Sequence, residues 1–196
     1  MCAATEMESR LVVLHAEVLV TGVGAVNAAY ALTRFLDRLE VRCIVICGIG
    51  GAYKASLAPG DVVCAESECY GDLGVESPEG FLDMESLGFP LVTAPSKRFN
   101  TFPLQIFPHQ RRVKFVTVNT CSGTDALSSV LQQRTGGAVE NMEGAAIVHV
   151  AALAGVPVGE IRGISNRTGN RDRASWRVEQ ASTAAQAALI SWIKTL

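Results

Sequence analysis

The sequence predicts a single α/β domain built on a central mixed, mostly parallel twisted sheet flanked by helices. Three observations support this. Short Val/Ile-rich runs alternate with longer stretches whose apolar residues recur at helical spacing. One run, Val41–Cys47 (VRCIVIC), reads as a continuous apolar segment of strand length, the mark of a strand covered on both faces. The length, 196 residues, suits one domain and is short for two.

Taken in order, Leu11–Leu14 and Glu17–Thr21 read as short strands around His15-Ala16. Gly22-Val23-Gly24 turns the chain into a helix from Val26 to Leu39. The Val41–Cys47 strand ends in Gly48-Ile49-Gly50-Gly51, read as a loop at its carboxyl end, and Asp61–Cys64 begins another strand. Regularity weakens between Gly71 and Arg112, and six of the seven prolines lie between Pro59 and Pro108. Irregular segments of this length often form lids or pocket walls. Val113–Val118 is then a strand, Asp125–Gln133 a helix, Gly136-Gly137 a turn and Met142–Ala154 an Ala-rich helix. Val156–Ile164 is a strand, and Ser175–Lys194 a terminal helix with Trp176 and Trp192. Residues 1–196 thus form one domain with an irregular 71–112 insert. In such folds ligands bind at the carboxyl ends of the strands.

Composition removes several classes of function. Hydrophobic residues make up 48% and charged residues 18%, enough apolar material for a core and too much for disorder. Seventeen Lys+Arg face nineteen Asp+Glu, a net charge of −2, so no electrostatic basis for nucleic-acid binding exists. No run approaches the ~18 apolar residues of a bilayer span. The start, MCAATEMESR, has no basic region followed by an apolar one, so no signal peptide, no membrane association and a cytoplasmic location are expected. Four of the six cysteines lie in or beside Val/Ile-rich runs, there is no Cys-x-x-Cys and the three histidines are scattered. Reduced core thiols, no metal site and no cofactor are expected.

Four segments carry candidate chemistry. Gly22–Asn27 follows the dinucleotide-binding pattern, but Asn27 replaces its third glycine and Glu40 comes too early to meet a ribose. A tight strand-to-helix turn is the better reading. Gly48–Gly51 has no Lys or Arg beside it, which favours backbone facing a ribose or base over a phosphate cradle. Glu140 and Glu143 stand where carboxylates suit a helix dipole, either as caps or as site residues. Arg162-Gly163-Ile164-Ser165-Asn166 ends a buried strand, where its polar tip is either a ligand contact or a Ser-Asn turn.

ENMEGAA (140–146) followed by IRGISN (161–166) resembles the purine nucleoside phosphorylase/nucleosidase superfamily. TGVGAVNAA resembles that family's second-strand turn, and VICGIGGAYKASLAPGDVV its glycine-rich loop. Within it, AATEMES, YGDLGVESPEGFLD, VNTCSGT and RGISNRTGNRD are most similar to the futalosine hydrolase family. The resemblance implies a nucleoside phosphorylase-like fold, a small-molecule nucleoside substrate and a homodimer or higher homo-oligomer. It implies hydrolysis of the N-glycosidic bond of futalosine, with release of hypoxanthine, on the alternative route to menaquinone. A methylthioadenosine/S-adenosylhomocysteine nucleosidase and a non-catalytic nucleoside-binding member are the alternatives.

N-ribosyl cleavage passes through an oxocarbenium-like sugar cation, so it needs a carboxylate beneath the ribose, a partner for the leaving purine and a positioned water. The resemblance places Glu143 on the ribose hydroxyls, Met142 against the sugar and Asn166 on the purine. An amide both donates and accepts, which suits N7 and O6 of hypoxanthine, whereas adenosine-cleaving relatives carry Asp. Glu8 is the expected base for water, with Glu6 the alternative, while an ungapped match puts Met7 at that position. Asn141, Gly50, Gly51, Ser122, Gly123 and Thr124 complete the expected substrate contacts. Neither Gly22–Asn27 nor Gly48–Tyr53 holds the arginines that phosphorylases of this superfamily place there, so water is the expected nucleophile. The 71–112 segment, with Phe81, Phe89, Phe99, Phe102, Phe107 and Arg98 or Lys97, is expected at the 5′ end of the substrate, as pocket wall, lid or dimer contact.

Overall fold

The computed structural model describes residues 1–53 and 55–196; Lys54, within the quoted VICGIGGAYKASLAPGDVV stretch, lies outside the described residues. In chain order the strands are β1 (Cys2–Ala3), β2 (Leu19–Val20), β3 (Ile44–Ala52), β4 (Val62–Tyr70), β5 (Gly74–Ser77), β6 (Gly80–Asp83), β7 (Thr101–Pro103), β8 (Arg112–Thr117), β9 (Val139–Asn141) and β10 (Val158–Arg167). The helices are α1 (Ala25–Leu36), α2 (Asp125–Thr135), α3 (Gly144–Ala154) and α4 (Val178–Ile193), with single 3₁₀ turns at Glu6–Glu8, Val12–Leu14 and Arg173–Ser175.

The main sheet runs β10-β4-β8-β9-β3-β1-β2, and β10 pairs with β3 as well, closing a ring of five strands. Most pairings are parallel (β3 with β1 and β10, β8 with β4 and β9, β1 with β2); β10–β4, β3–β9 and β4–β7 are antiparallel. β3 is the hinge of this arrangement. Along one side it pairs with β10 from Ile44 to Ala52. On the other side it meets β1 at Ile46 and β9 only at Gly51 and Ala52. Between those two partners the ladder is open on that side at Ile49, and the site forms there.

Alternate residues of β3 serve two layers, as the period of two requires. Ile44 and Ile46 join Val63, Ala65, Phe102, Phe115, Val139 and Ile147 in the larger core beneath α1 and α3. Val45 and Cys47 join Cys64, Ile161, Ala185 and Leu189 beneath α4. Cys2, Cys47, Cys64 and Cys69 are buried, Cys43 and Cys121 exposed, and all six thiols are free. Among the described residues no helix is long and apolar enough to cross a membrane.

Several expected elements shift. Val12–Leu14 is a 3₁₀ turn and not a strand. Gly48–Gly51 is not a loop: β3 runs through it. Its glycines answer to close approach, since a Cβ at Gly48 would lie 2.8 Å from both Glu8 Oε1 and Arg162 Nη1. Met142 and Glu143 precede α3, because Val139–Asn141 is taken by β8 and β3 as a strand. The terminal helix starts at Val178, after a separate 3₁₀ turn. The irregular insert contains the hairpin β5–β6 and the short strand β7.

α4 lies on β10 because Gly163 has no side chain: a Cβ there would stand 2.5 Å from the carbonyl carbon of Ala181 and 2.9 Å from its Cα. Gly163→Ala is expected to push α4 outward at a cost of about 1–3 kcal/mol. At ~2–4 °C per kcal/mol for a chain of this size, calorimetry should show a melting temperature several degrees lower. An unchanged midpoint would contradict this packing.

Candidate active site

A cavity of about 400 Å³ opens at the carboxyl ends of β3, β9 and β10, the end where parallel strands place ligand contacts. Segments following β1, β2 and β8 complete its wall: Ala4, Thr5, Met7 and Glu8, then Val23, then Cys121–Gly123.

Glu143 enters from the turn between β9 and α3. The Asn141 side-chain oxygen accepts the N–H groups of Glu143 (3.0 Å) and Gly144 (2.7 Å), which fixes that turn. The Glu143 carboxylate is buried; Oε1 accepts the Gly24 N–H at 2.9 Å and Oε2 lies 4.0 Å from Arg162 Nη2. Gly24 has φ +91°, a conformation that leaves its N–H free to point at the carboxylate and that side chains rarely adopt. The early glycine turn therefore holds Glu143.

Glu8 caps its own 3₁₀ turn, with Oε2 accepting from the Thr5 N–H (3.1 Å) and hydroxyl (2.8 Å). Its Oε1 accepts the N–H of Ile49 at 3.0 Å, in the open stretch of the β3 edge. Glu8 is buried in the cavity wall; Glu6, two residues earlier, is exposed and outside it, while Met7 lines the wall.

Arg162 occupies the other half of the same opening. Its Nη1 donates to Ile49 O at 2.7 Å and its Nε to Glu160 Oε1 at 2.6 Å. Burial disfavours its charge, but Glu160, Glu143, Glu68 and Glu8 outweigh burial and hold the guanidinium pKa above its ordinary value.

Asn166 follows a register shift in the β10–β3 ladder between Ile164 and Asn166. Bulges of this kind re-aim side chains next to sites. Asn166 Oδ1 accepts from Ser165 Oγ at 2.7 Å and Nδ2 donates to Arg167 O at 2.8 Å. Ser122, Gly123, Met142, Gly50 and Gly51 all line the cavity. Ser122 is anchored by Glu140, whose Oε1 accepts its N–H at 2.9 Å and whose Oε2 accepts its hydroxyl and, at 2.6 Å, the Tyr53 phenol. Burial, with Glu140 alongside, pushes the Tyr53 phenol pKa up.

Two expected contacts differ. Thr124 is outside the wall, and its hydroxyl caps α2 by accepting the Leu127 N–H at 3.2 Å. Asn141 lies in the wall, but its amide turns inward to Glu68, Thr117 and the start of α3. No residue of 71–112 lines the cavity within one copy of the chain. Phe102 is buried in the core, Phe107 packs against that core with Arg112 over its ring, and Phe81 lies beneath Arg134.

A family model described as the phosphorylase superfamily matches residues 11–195. The chain belongs to the phosphorylase superfamily. It is similar to the futalosine hydrolase of Streptomyces coelicolor, at 35% identity over 183 residues covering 86% of this chain and 74% of that protein. It is similar to the futalosine hydrolase of Acidothermus cellulolyticus at 38% over 172 residues, covering 85% and 70%. The crystal structure of a 5′-methylthioadenosine/S-adenosylhomocysteine nucleosidase from Neisseria meningitidis, in complex with methylthio-immucillin-A, shares the fold with a TM-score of 0.81 at 16% identity. It covers 100% of this chain and 97% of that one.

Sequence reasoning missed several residues of this phosphorylase-superfamily site. The sequence motifs give Arg162 no role and place Glu140 at a helix start, yet both line the wall, as do Arg171 and Trp176. For Arg162 a signal existed. Two charges, Glu160 and Arg162, interrupt an otherwise apolar strand, which is costly unless they are paired at a site. Arg162→Met should leave the buried carboxylates without a counter-charge and destabilise the fold by about 3–5 kcal/mol in denaturant titration. Wild-type stability in that variant would show that the guanidinium does not hold the group together.

Proposed function

We propose that this chain hydrolyses the N-glycosidic bond of futalosine, releasing hypoxanthine and dehypoxanthine futalosine on the alternative menaquinone route. The observation that carries the proposal is the convergence of Glu143, Glu8 and the amide of Asn166 on one cavity of a chain that resembles futalosine hydrolases. Glu143 binds the ribose hydroxyls and its charge faces the sugar cation as the C1′–N9 bond breaks. Met142 packs against the sugar. The bonding electrons leave on the purine, which takes up a proton from solvent at N7; the Asn166 amide N–H donates to O6 and its oxygen accepts from the protonated N7. Water adds to C1′, and Glu8 takes its proton through a lone pair that Thr5 and Ile49 leave available. Water is favoured over phosphate because neither Gly22–Asn27 nor Gly48–Tyr53 carries an Arg or Lys. The chain works in the cytoplasm as a homodimer or higher homo-oligomer, and the 71–112 segment of a second copy closes the 5′ end. The methylthioadenosine nucleosidase alternative fits less well, because an amide stands where adenosine-cleaving relatives carry Asp.

Purified protein should release hypoxanthine from futalosine and leave methylthioadenosine intact, with free base followed by chromatography. Glu143→Gln should fold normally and lose ~10²–10³-fold in turnover. Glu8→Gln should lose ~10²–10⁴-fold, with Glu6→Gln near wild type. Cleavage of methylthioadenosine with futalosine untouched would refute the substrate, and near-normal turnover of Glu143→Gln would refute its role.

A further inference from the structure

Behind the cavity lies a second acidic group that the proposed chemistry does not use. Glu68, on β4, and Glu160, on β10, are both wholly buried, and neither lines the cavity. Gly144 lies against both: a Cβ there would collide with Glu68 Oε1 and lie 2.8 Å from each Glu160 oxygen. Glu160 Oε1 is bonded to Arg162, and its Oε2 has no hydrogen-bond partner among the described residues.

Counting protons along the adjoining contacts locates one more hydrogen than ionised carboxylates allow. Glu68 Oε1 lies 2.9 Å from Thr117 Oγ1, and Thr117 Oγ1 lies 3.0 Å from Asn141 Oδ1. The orientation of the Asn141 amide is fixed, because Oδ1 accepts two backbone N–H groups and a flip would oppose donors to donors. Thr117 also accepts the Ala145 N–H at 2.7 Å. Two oxygen–oxygen contacts of hydrogen-bond length therefore share a single hydroxyl proton, since Asn141 Oδ1 carries none. One would be a repulsion of lone pairs unless Glu68 brings a hydrogen.

We propose that Glu68 is a neutral carboxylic acid that donates its proton to Thr117 and thereby positions Glu143. Thr117 passes its own hydrogen to Asn141. The Asn141 amide donates to the same Glu68 oxygen and, at 3.3 Å, to Val116 O. Glu68 Oε2 accepts the Cys69 N–H at 3.1 Å. Asn141 and Thr117 together receive the N–H groups of Glu143, Gly144 and Ala145, so the head of α3 is capped from inside the protein. Ionising Glu68 would draw the Thr117 hydrogen back and set two lone pairs together beneath Glu143.

The surroundings agree in sign. Burial, then Glu160, push the Glu68 pKa well above the carboxylate range, and Arg162 and the bonds from Asn141 and Thr117 only partly oppose this. Of the other groups around it, β10 contributes Glu160 and Arg162, the head of α3 contributes Glu143, and Cys69 and Tyr70 sit on β4 itself. Lys114 of β8 acts on Cys69, His149 of α3 meets Tyr70, β7 brings the apolar Phe102, and Glu179 of α4 is exposed. Neutralising one of Glu8, Glu68, Glu143 and Glu160 also lowers the excess of anions around Arg162.

The test is infrared spectroscopy of the ligand-free protein at neutral pH, which is independent of the assigned substrate. Wild type should show the carbonyl stretch of a protonated carboxylic acid, and a component of it should vanish in Glu68→Gln. In Thr117→Val that component should shift, because the acid loses its acceptor; this variant decides the matter if Glu68→Gln fails to fold. Absence of the band in wild type, its persistence in Glu68→Gln with loss in Glu160→Gln, or an unmoved band in Thr117→Val would each overturn the proposal. A kinetic arm rests on the futalosine reading: Thr117→Val should lower kcat about tenfold with KM little changed, as loss of positioning does. Wild type that leaves futalosine intact yet shows the band and its shift would refute the substrate and sustain the proton on Glu68.

Discussion

One buried guanidinium sets the layout of the site. Arg162 bonds Glu160 and the Ile49 carbonyl, faces Glu143, and has Glu8 on the opposite side of Ile49. Buried ion pairs seldom add net stability, because desolvation offsets the attraction, whereas an unpartnered buried charge is costly. Retaining so many carboxylates around one cation therefore makes sense as geometry. Each acid is held at a set distance from a fixed charge, and two of them, Glu143 and Glu8, face the cavity.

The backbone provides the place for this charge. Because β1 ends at Ala3 and β9 joins β3 only at Gly51, the main-chain groups of Ile49 have no strand neighbour on that side. Unpaired buried backbone groups are expensive, and side chains satisfy them here: Glu8 takes the N–H and Arg162 the carbonyl. A local interruption of the sheet thus becomes the platform on which a carboxylate and a guanidinium are fixed, one at the N–H and one at the C=O of the same residue. The glycines at 48 and 50 keep this platform clear, since a Cβ at Gly50 would meet Glu140 O at 2.9 Å.

Much of this was legible beforehand, and the exceptions have physical causes. The alternation of apolar runs and helical periods announced the α/β sheet, and the ENMEGAA and IRGISN segments located Glu143 at a helix start and Asn166 at a strand end. The resemblance also favoured Glu8 over Glu6, which the structure separates as buried against exposed. The glycine run was misread as a loop because glycine usually marks turns; here it marks close approach of side chains to an extended strand. β9 is three residues long, too short for a period of two to register, so Glu140 looked like a helix cap. Thr124 looked like a ligand contact, although a hydroxyl before a helix is equally a cap. The partnership of Glu68 with Thr117 and Asn141 joins three strands distant in sequence, which no local pattern encodes.

In the proposed reaction the cavity adds water to the anomeric carbon of futalosine. The most direct test is to run the reaction in phosphate-free buffer made with oxygen-18 water and to analyse both products by mass spectrometry before the free sugar exchanges. Hydrolysis puts one heavy oxygen on the C1 hydroxyl of the sugar product and none in the released hypoxanthine. Release that requires phosphate, with a phosphorylated sugar as product, would contradict it.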